Sequence, residues 1–205
     1  FWFPDGDAPA PDEYIRLWNW RIRGGAHEEV VARFSGLTAQ AVAGELDDWA
    51  QTAQGRMALI IIFDQFTRSV FVGTPQAYVS DPKARDLCLQ GLKNGHFDKL
   101  ANAWQKAAFK IPPEHCECED PADHLAKLDI AIAIADRMID EVSPNLRQIA
   151  VMGAGQPRKH RAVIARFGRH PHRNAILGRE STPEELLRYL AKGEFPHTTM
   201  IGIPE

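Results

Sequence analysis

Cysteine is scarce in this sequence: Cys88, Cys116 and Cys118 are an odd number and too few for a disulfide framework, so reduced thiols are expected. Long apolar runs are absent as well. The longest is seven residues, Met57 to Phe63, far short of the roughly 18 to 20 that a membrane-spanning helix needs, so no membrane partner is expected. Runs of alternating apolar and polar residues joined by hairpin turns are missing, which argues against a sheet-based fold. No cationic, apolar leader opens the chain, so a cytoplasmic location is the expectation. Disorder is excluded by composition: 205 residues, 44% hydrophobic and 25% charged, support a substantial core. We expect one domain over residues 1–205.

What is present is a marked segregation of charge. The net charge is -3, yet residues 158–179 hold seven Lys/Arg, three histidines and no acid. Residues 112–141 reverse this, with nine acids against Lys127 and Arg137. The two stretches are candidates to pair with each other.

Helical spacing and caps recur along the whole chain. Helices are expected over Asp12–Arg23, Ala26–Phe34, Thr38–Ala50 and Met57–Phe71, the last with apolar residues on two stripes and therefore central. Ser80-Asp81-Pro82 starts another that Gly91 and Gly95 close, and Asp98–Lys110 follows. Asp120-Pro121 caps a stripe of Leu125, Leu128, Ile132, Ala135 and Ile139. After Ser143-Pro144, a helix from about Asn145 should be interrupted by Gly153, Gly155 and Pro157, leaving a second piece from Arg158 to Phe167. Thr182-Pro183-Glu184-Glu185 is a capping box for a last helix to Ala191, stopped by Gly193 and Pro196. The fold class is all-α, a helical array or irregular bundle of about nine to ten antiparallel helices. No repeat of fixed period is visible.

Three constellations carry candidate chemistry. On the central helix, Asp64, Gln65 and Arg68 fall within Asp64-Gln65-Phe66-Thr67-Arg68, where the acid precedes the cation by four residues on one face. Either they bridge each other or they point into a polar cavity. Arg166, Arg169, His172, Arg173 and Asn174 crowd a helix end and loop, where arginine forks suit anions and histidines suit proton transfer. The alternative there is neutralisation of the acidic stretch. His160 shares the stripe of Val163, Ile164 and Phe167, so it faces the core, as ligand or catalyst or as a structural ring. Glu114-His115-Cys116-Glu117-Cys118-Glu119 contains zinc-type ligands but no second ligand pair, so no metal site is expected and His115 and Glu117 stand as pocket residues.

Other classes fall away. Gly153-Ala154-Gly155 lacks a preceding strand and a phosphate-loop Lys-Ser/Thr. The chain is acidic overall and carries no helix-turn-helix or RNA-binding signature, so nucleic acid is not an expected partner.

Several motifs resemble the bacterial family catalogued as domain of unknown function 924. They are residues 59–66 with Arg68, Phe71, Gly73-Thr74-Pro75-Gln76-Ala77 and Asp81 in the first half. In the second half they are Arg166-Phe167-Gly168-Arg169, Pro171-His172-Arg173-Asn174, Ile176-Leu177-Gly178-Arg179 and Ser181 to Glu185. Phe1-Trp2-Phe3, Gly44-Glu45-Leu46, Trp49 and Pro113-Glu114-His115 also match, so the likeness spans nearly the whole chain. The resemblance implies a tetratricopeptide-like helical array and no assigned activity. The chain departs from the family at Thr67, where proline is usual, at Ser69-Val70, at Val72, at the Cys116–Cys118 segment, and at His170, where an aromatic is usual.

The resulting expectation is a small anionic molecule held by Gln65, Arg68, Glu117, Arg166, Arg169, Arg173 and Asn174, with Asp64, His115, His160 and His172 available for acid-base work. The cofactor is unspecified and so is the oligomeric state. The rival expectation is a tetratricopeptide-like groove whose arginines clamp an acidic peptide. A third reading makes Asp64, Arg68 and Arg173 a purely structural network.

Overall fold

In the computed structural model the described residues are 1–3, 10–193 and 195–196. They form an all-α structure. In chain order the helices are α1 (Pro11–Ile22), α2 (His27–Val42), α3 (Ala53–Ile61), α4 (Thr67–Val70), α5 (Gln76–Val79), α6 (Asp81–Lys93), α7 (Ala103–Phe109), α8 (Pro112–His115), α9 (Pro121–Glu141), α10 (Arg147–Phe167) and α11 (Pro183–Arg188). Eight of these have six residues or more, slightly fewer than the nine or ten expected. No helix among the described residues is long and apolar enough to cross a membrane.

The central helix expected from Met57 is α3. It begins earlier, at Ala53, because the Thr52 hydroxyl accepts from the Gly55 amide at 3.0 Å and caps the first turn. Leu59, Ile60, Phe63 and Phe66 are at most 5% exposed, and they pack with Ala84, Leu87 and Cys88 of α6 and with Phe97 and Phe109. Each such side chain contributes roughly 1.5–3 kcal/mol on burial. Between α3 and α4 the backbone passes through a π turn, Ile62–Phe66. One extra residue in a turn rotates the side chains that follow, and such turns are frequent at functional sites. Gly91 on α6 is a close-approach position, since a Cβ there would sit 2.4 Å from Phe109 Cζ.

The expected break in the α2 region is not there: α2 continues from His27 to Val42 through Gly36, and only then does a 3-10 turn, Asp47–Gln51, follow. A helical glycine costs about 1 kcal/mol relative to alanine, too little to end a helix that packing favours. Likewise α10 runs unbroken through Gly153, Gly155 and Pro157, correcting the expected interruption. Tertiary contact overrides propensity here. α9 and α10 pack along their lengths. Arg147–Asp140, Arg158–Asp136 and Arg161–Asp129 pair at 3.2, 2.8 and 2.6 Å across them. The basic and acidic stretches are therefore partners, as the charge pattern allowed.

α7 is shorter than expected, starting at Ala103 under an Asn102 cap. The capping box forms as read: Glu185 N donates to Thr182 Oγ1 and Thr182 N donates to Glu185 Oε2 at 2.7 Å. α11 nevertheless ends at Arg188, and a 3-10 turn, Leu190–Lys192, takes the remainder. A second, smaller apolar cluster joins Tyr14 and Ile15 of α1, Trp104 of α7 and Ile149 of α10. It forms one side of a cavity.

Candidate functional site

The cavity has a volume of about 440 Å³, within the 300–1,000 Å³ range of small-molecule sites. Its two ends differ. Asp64, Gln65, Arg68, Tyr78, Lys110, Glu114, His115, His160, His172 and Arg173 line a polar end, while Trp2, Tyr14, Trp18, Trp104, Met138, Leu146 and Ile149 line an apolar one with Arg21 among them.

The π turn delivers Asp64 to the polar end, where it is 1% exposed. Pro112 and Pro113 open the single turn α8, which carries His115 to meet it. His115 Nδ1 lies 2.9 and 3.0 Å from the two Asp64 oxygens. The Gln65 side-chain amide donates to Asp64 Oδ2 as well. Burial alone would raise the Asp64 carboxyl; the charge and hydrogen bond of His115, with Arg68 and Gln65, outweigh it and hold Asp64 below the usual carboxylate range. A buried carboxylate on Nδ1 fixes the ring's orientation and leaves Nε2 to meet a ligand.

Beside this pair is a closed ionic network. Arg68 Nη2 donates to Asp81 Oδ1 at 2.6 Å and lies 4.0 Å from Asp64, and Nη1 donates to the Ala77 carbonyl. Arg173 Nη1 donates to the other Asp81 oxygen at 3.0 Å. Both guanidiniums lie over the Tyr78 ring, at 4.6 and 4.4 Å. Two arginines and two aspartates thus cancel. Burial, followed by the nearby charge of Arg68, lowers the Arg173 pKa. Lys110 and Glu114 form another buried pair at 2.6 Å.

His160 of α10 is 3% exposed, with its ring 5.4 Å from that of His115. His170 packs on His124, His160 and His172 at 5.7, 5.4 and 5.4 Å. Burial, then the neighbouring Arg173, pushes His170 well below the ordinary imidazole value, and burial brings His124 to about 4. His170 is therefore an uncharged ring at neutral pH, filling an aromatic's position as an aromatic would.

The remaining expected residues lie outside the cavity. Arg166 pairs with Glu184 at the surface at 2.7 Å, and Arg169 clamps Glu185 at 2.7 and 2.9 Å. Asn174 donates to Ser181 and Glu185, and Glu117 receives Arg179 at 2.6 Å and the His170 amide. These contacts tie the loop after α10 to α11 and to the segment after α8. The cysteines take no part: Cys116 and Cys118 sulfurs lie 3.4 and 3.7 Å from Arg85 Nη1, and burial pushes the Cys116 thiol up to about 12. Among the described residues no group of three or more His, Cys, Asp and Glu could hold a metal ion.

The sequence profile of the family described as bacterial protein of unknown function (DUF924) matches residues 1–194. The chain belongs to this family. The solved structure titled as a protein of unknown function, ATU0120, from Agrobacterium tumefaciens is similar to this DUF924 member. It shares 30% identity and a TM-score of 0.61 over 90% of this chain and 91% of that one. No curated protein matches.

Several cavity residues of this DUF924 chain escaped the sequence reading: Tyr14, Arg21, Tyr78, Trp104 and Lys110. A signal existed for two of them. Tyr14, Trp18 and Arg21 follow at offsets of four and three, which puts a cation on the aromatic stripe of α1. Asp81, read as the start of a helix, proves to be the shared counter-ion of Arg68 and Arg173.

Proposed function

We propose that this DUF924 chain acts as a single cytoplasmic domain that binds a small organic anion in the cavity and uses the Asp64–His115 pair for proton transfer. The observation that carries the reading is the 2.9 Å contact between His115 Nδ1 and a buried carboxylate at the wall of a cavity of about 440 Å³. In that arrangement His115 Nε2 takes a proton from a bound ligand or water, and Asp64 stabilises the imidazolium that forms. His160 adjoins His115 and His172 lines the same wall, so both are within reach of a ligand's polar group. Arg68 and Arg173, already neutralised by Asp81 and Asp64, set the field of this end.

The peptide-groove alternative needs arginines open to solvent and without counter-ions. Arg166 and Arg169 instead carry Glu184 and Glu185, and Arg173 is 5% exposed. These facts favour the small-ligand reading.

The test is to incubate the purified chain with a protein-free small-molecule extract and follow the masses consumed and formed, beside a His115→Asn variant. At least one compound consumed by the wild type and spared by the variant is expected. Identical profiles for both would sink the proton-transfer role, and native mass spectrometry without any retained small molecule would sink the binding role.

A further inference from the structure

We infer that the ligand's anionic group is received by Arg21 at the apolar end, and that the ligand class is an aromatic monocarboxylate whose ring lies along Tyr14 and Trp104. The inference rests on the pocket reading above and specifies what the pocket takes.

At the polar end one nitrogen, Arg173 Nε, lacks a partner among the described residues, but both guanidinium charges there are matched. The two guanidiniums share Asp81, and Asp64 adds the second negative charge, so a carboxylate entering there would compete with ion pairs already made at 2.6 and 3.0 Å. Arg21 is in the opposite condition. Its Nε, Nη1 and Nη2 are all buried, and none meets a hydrogen-bond partner among the described residues. The guanidinium lies 4.5 Å over the Trp2 ring. Burial lowers its pKa to about 10, against a raising effect of Tyr14, so it is still a cation at neutral pH. A buried charge without a counter-ion costs several kcal/mol, and a guanidinium's preferred counter-ion is a planar, bidentate carboxylate.

The walls select the rest of the ligand. Tyr14 and Trp104 stack at 3.9 Å with planes 13° apart, and Trp18 continues the stack at 6.1 Å. Flat rings and aliphatic Ile149, Leu146 and Met138 suit a flat apolar body. The rings cover the three nitrogens, so the carboxylate reaches them as a ring turns aside; Trp2, stacked on the guanidinium, is the ring to move. One charge at Arg21 and a polar group at His115 would then span the cavity.

The test is a titration of the full chain with phenylacetate and with phenylacetamide, its neutral isostere, followed by tryptophan fluorescence, since Trp2, Trp18 and Trp104 line the cavity. The acid is expected to bind about tenfold or more tightly than the amide, the ratio that one charge-assisted contact supplies. Arg21→Gln should abolish the preference while keeping amide binding, and should melt no lower than wild type because it removes a buried charge that has no partner among the described residues. Arg21→Lys should keep part of the preference. A variant that alters neither the arginines nor the aspartates, Tyr78→Phe, should keep all of it, and a preference that persists when the His115→Asn variant has lost turnover would separate this inference from the proton-transfer reading. Equal binding of acid and amide overturns the inference, as does a preference that survives Arg21→Gln. A preference lost in Arg68→Gln instead would put the anion at the polar end and leave only the pocket reading standing. An Arg21→Gln variant that melts far below wild type would make the cation structural. Failure of both probes to bind would remove the inference and weigh against the pocket itself.

Discussion

The two ends of the cavity hold the same kind of charged group in opposite states. At the polar end Arg68 and Arg173 grip Asp81, with Asp64 close by; at the apolar end Arg21 lies over Trp2 with no acceptor among the described residues. A buried arginine is thus no guide to anion binding until its own counter-ions have been identified. The residues that announce themselves as anion anchors have their charges matched, and the arginine whose three nitrogens are all without a partner among the described residues sits in a plain amphipathic helix.

The contrast can be broken most directly at Arg173. Its removal leaves Asp81 with Arg68 alone, one carboxylate charge of the buried network unmatched and part of Tyr78 uncovered, so Arg173→Ala should cost about 3–5 kcal/mol in urea unfolding. Arg21→Gln should cost nothing by the same measurement. Comparable losses for both would erase the distinction between the two ends.

Acid should act through the histidines next to the polar end. His124 has a folded pKa of about 4 against an ordinary value of 6.5, so the unfolded chain takes up its proton first. Stability from this ring is complete above pH 6.5 and is lost as pH falls towards 4, by about 3 kcal/mol. His170, shifted in the same direction, adds to the loss. Urea midpoints between pH 7 and pH 4 should decline with a slope that His124→Gln reduces; an unchanged slope would show that the ring is not held neutral.

Smaller effects are expected outside the cavity. Glu185→Gln weakens the Arg169 clamp while retaining an acceptor for the Thr182 amide, for a loss of about 1–2 kcal/mol in thermal or urea unfolding. Arg166→Ala removes an exposed pair whose partners are 49% and 57% exposed, and should shift stability by less than about 0.5 kcal/mol. A larger loss at Arg166 would mean that this surface is covered in the working protein.

Local chemistry was legible where it decides structure by itself. The Thr182–Glu185 box, the Asp120 cap and the Gly168 terminus, with φ of 69°, all form where their residue types require. So did the all-helical class; Asp64, His115, His160, His172 and Arg173, from separate segments, line one cavity. What was not legible depends on distance through the fold. Arg173 and Asp81 are 92 residues apart, and no spacing rule reveals that one carboxylate serves two arginines. Gly153, Gly155 and Pro157 misled for the opposite reason: their local penalties are real, but packing against α9 supplies more than the backbone loses. Arg21 was hidden because a lone cation on an apolar stripe reads as a side chain reaching for solvent.

The middle of α10 has a further consequence for how this wall of the cavity comes into being. Two glycines and a proline make its central turn about 5 kcal/mol poorer as a helix than alanines would, and Gly153, Ala154 and Gln156 of that stretch border the cavity. Detached from α9, the segment would not hold a helical shape. The cavity therefore has one side that takes shape only after its neighbour has folded, and amide hydrogen exchange along α10 should be fastest at that seam, opening and closing while both ends of the helix stay shut.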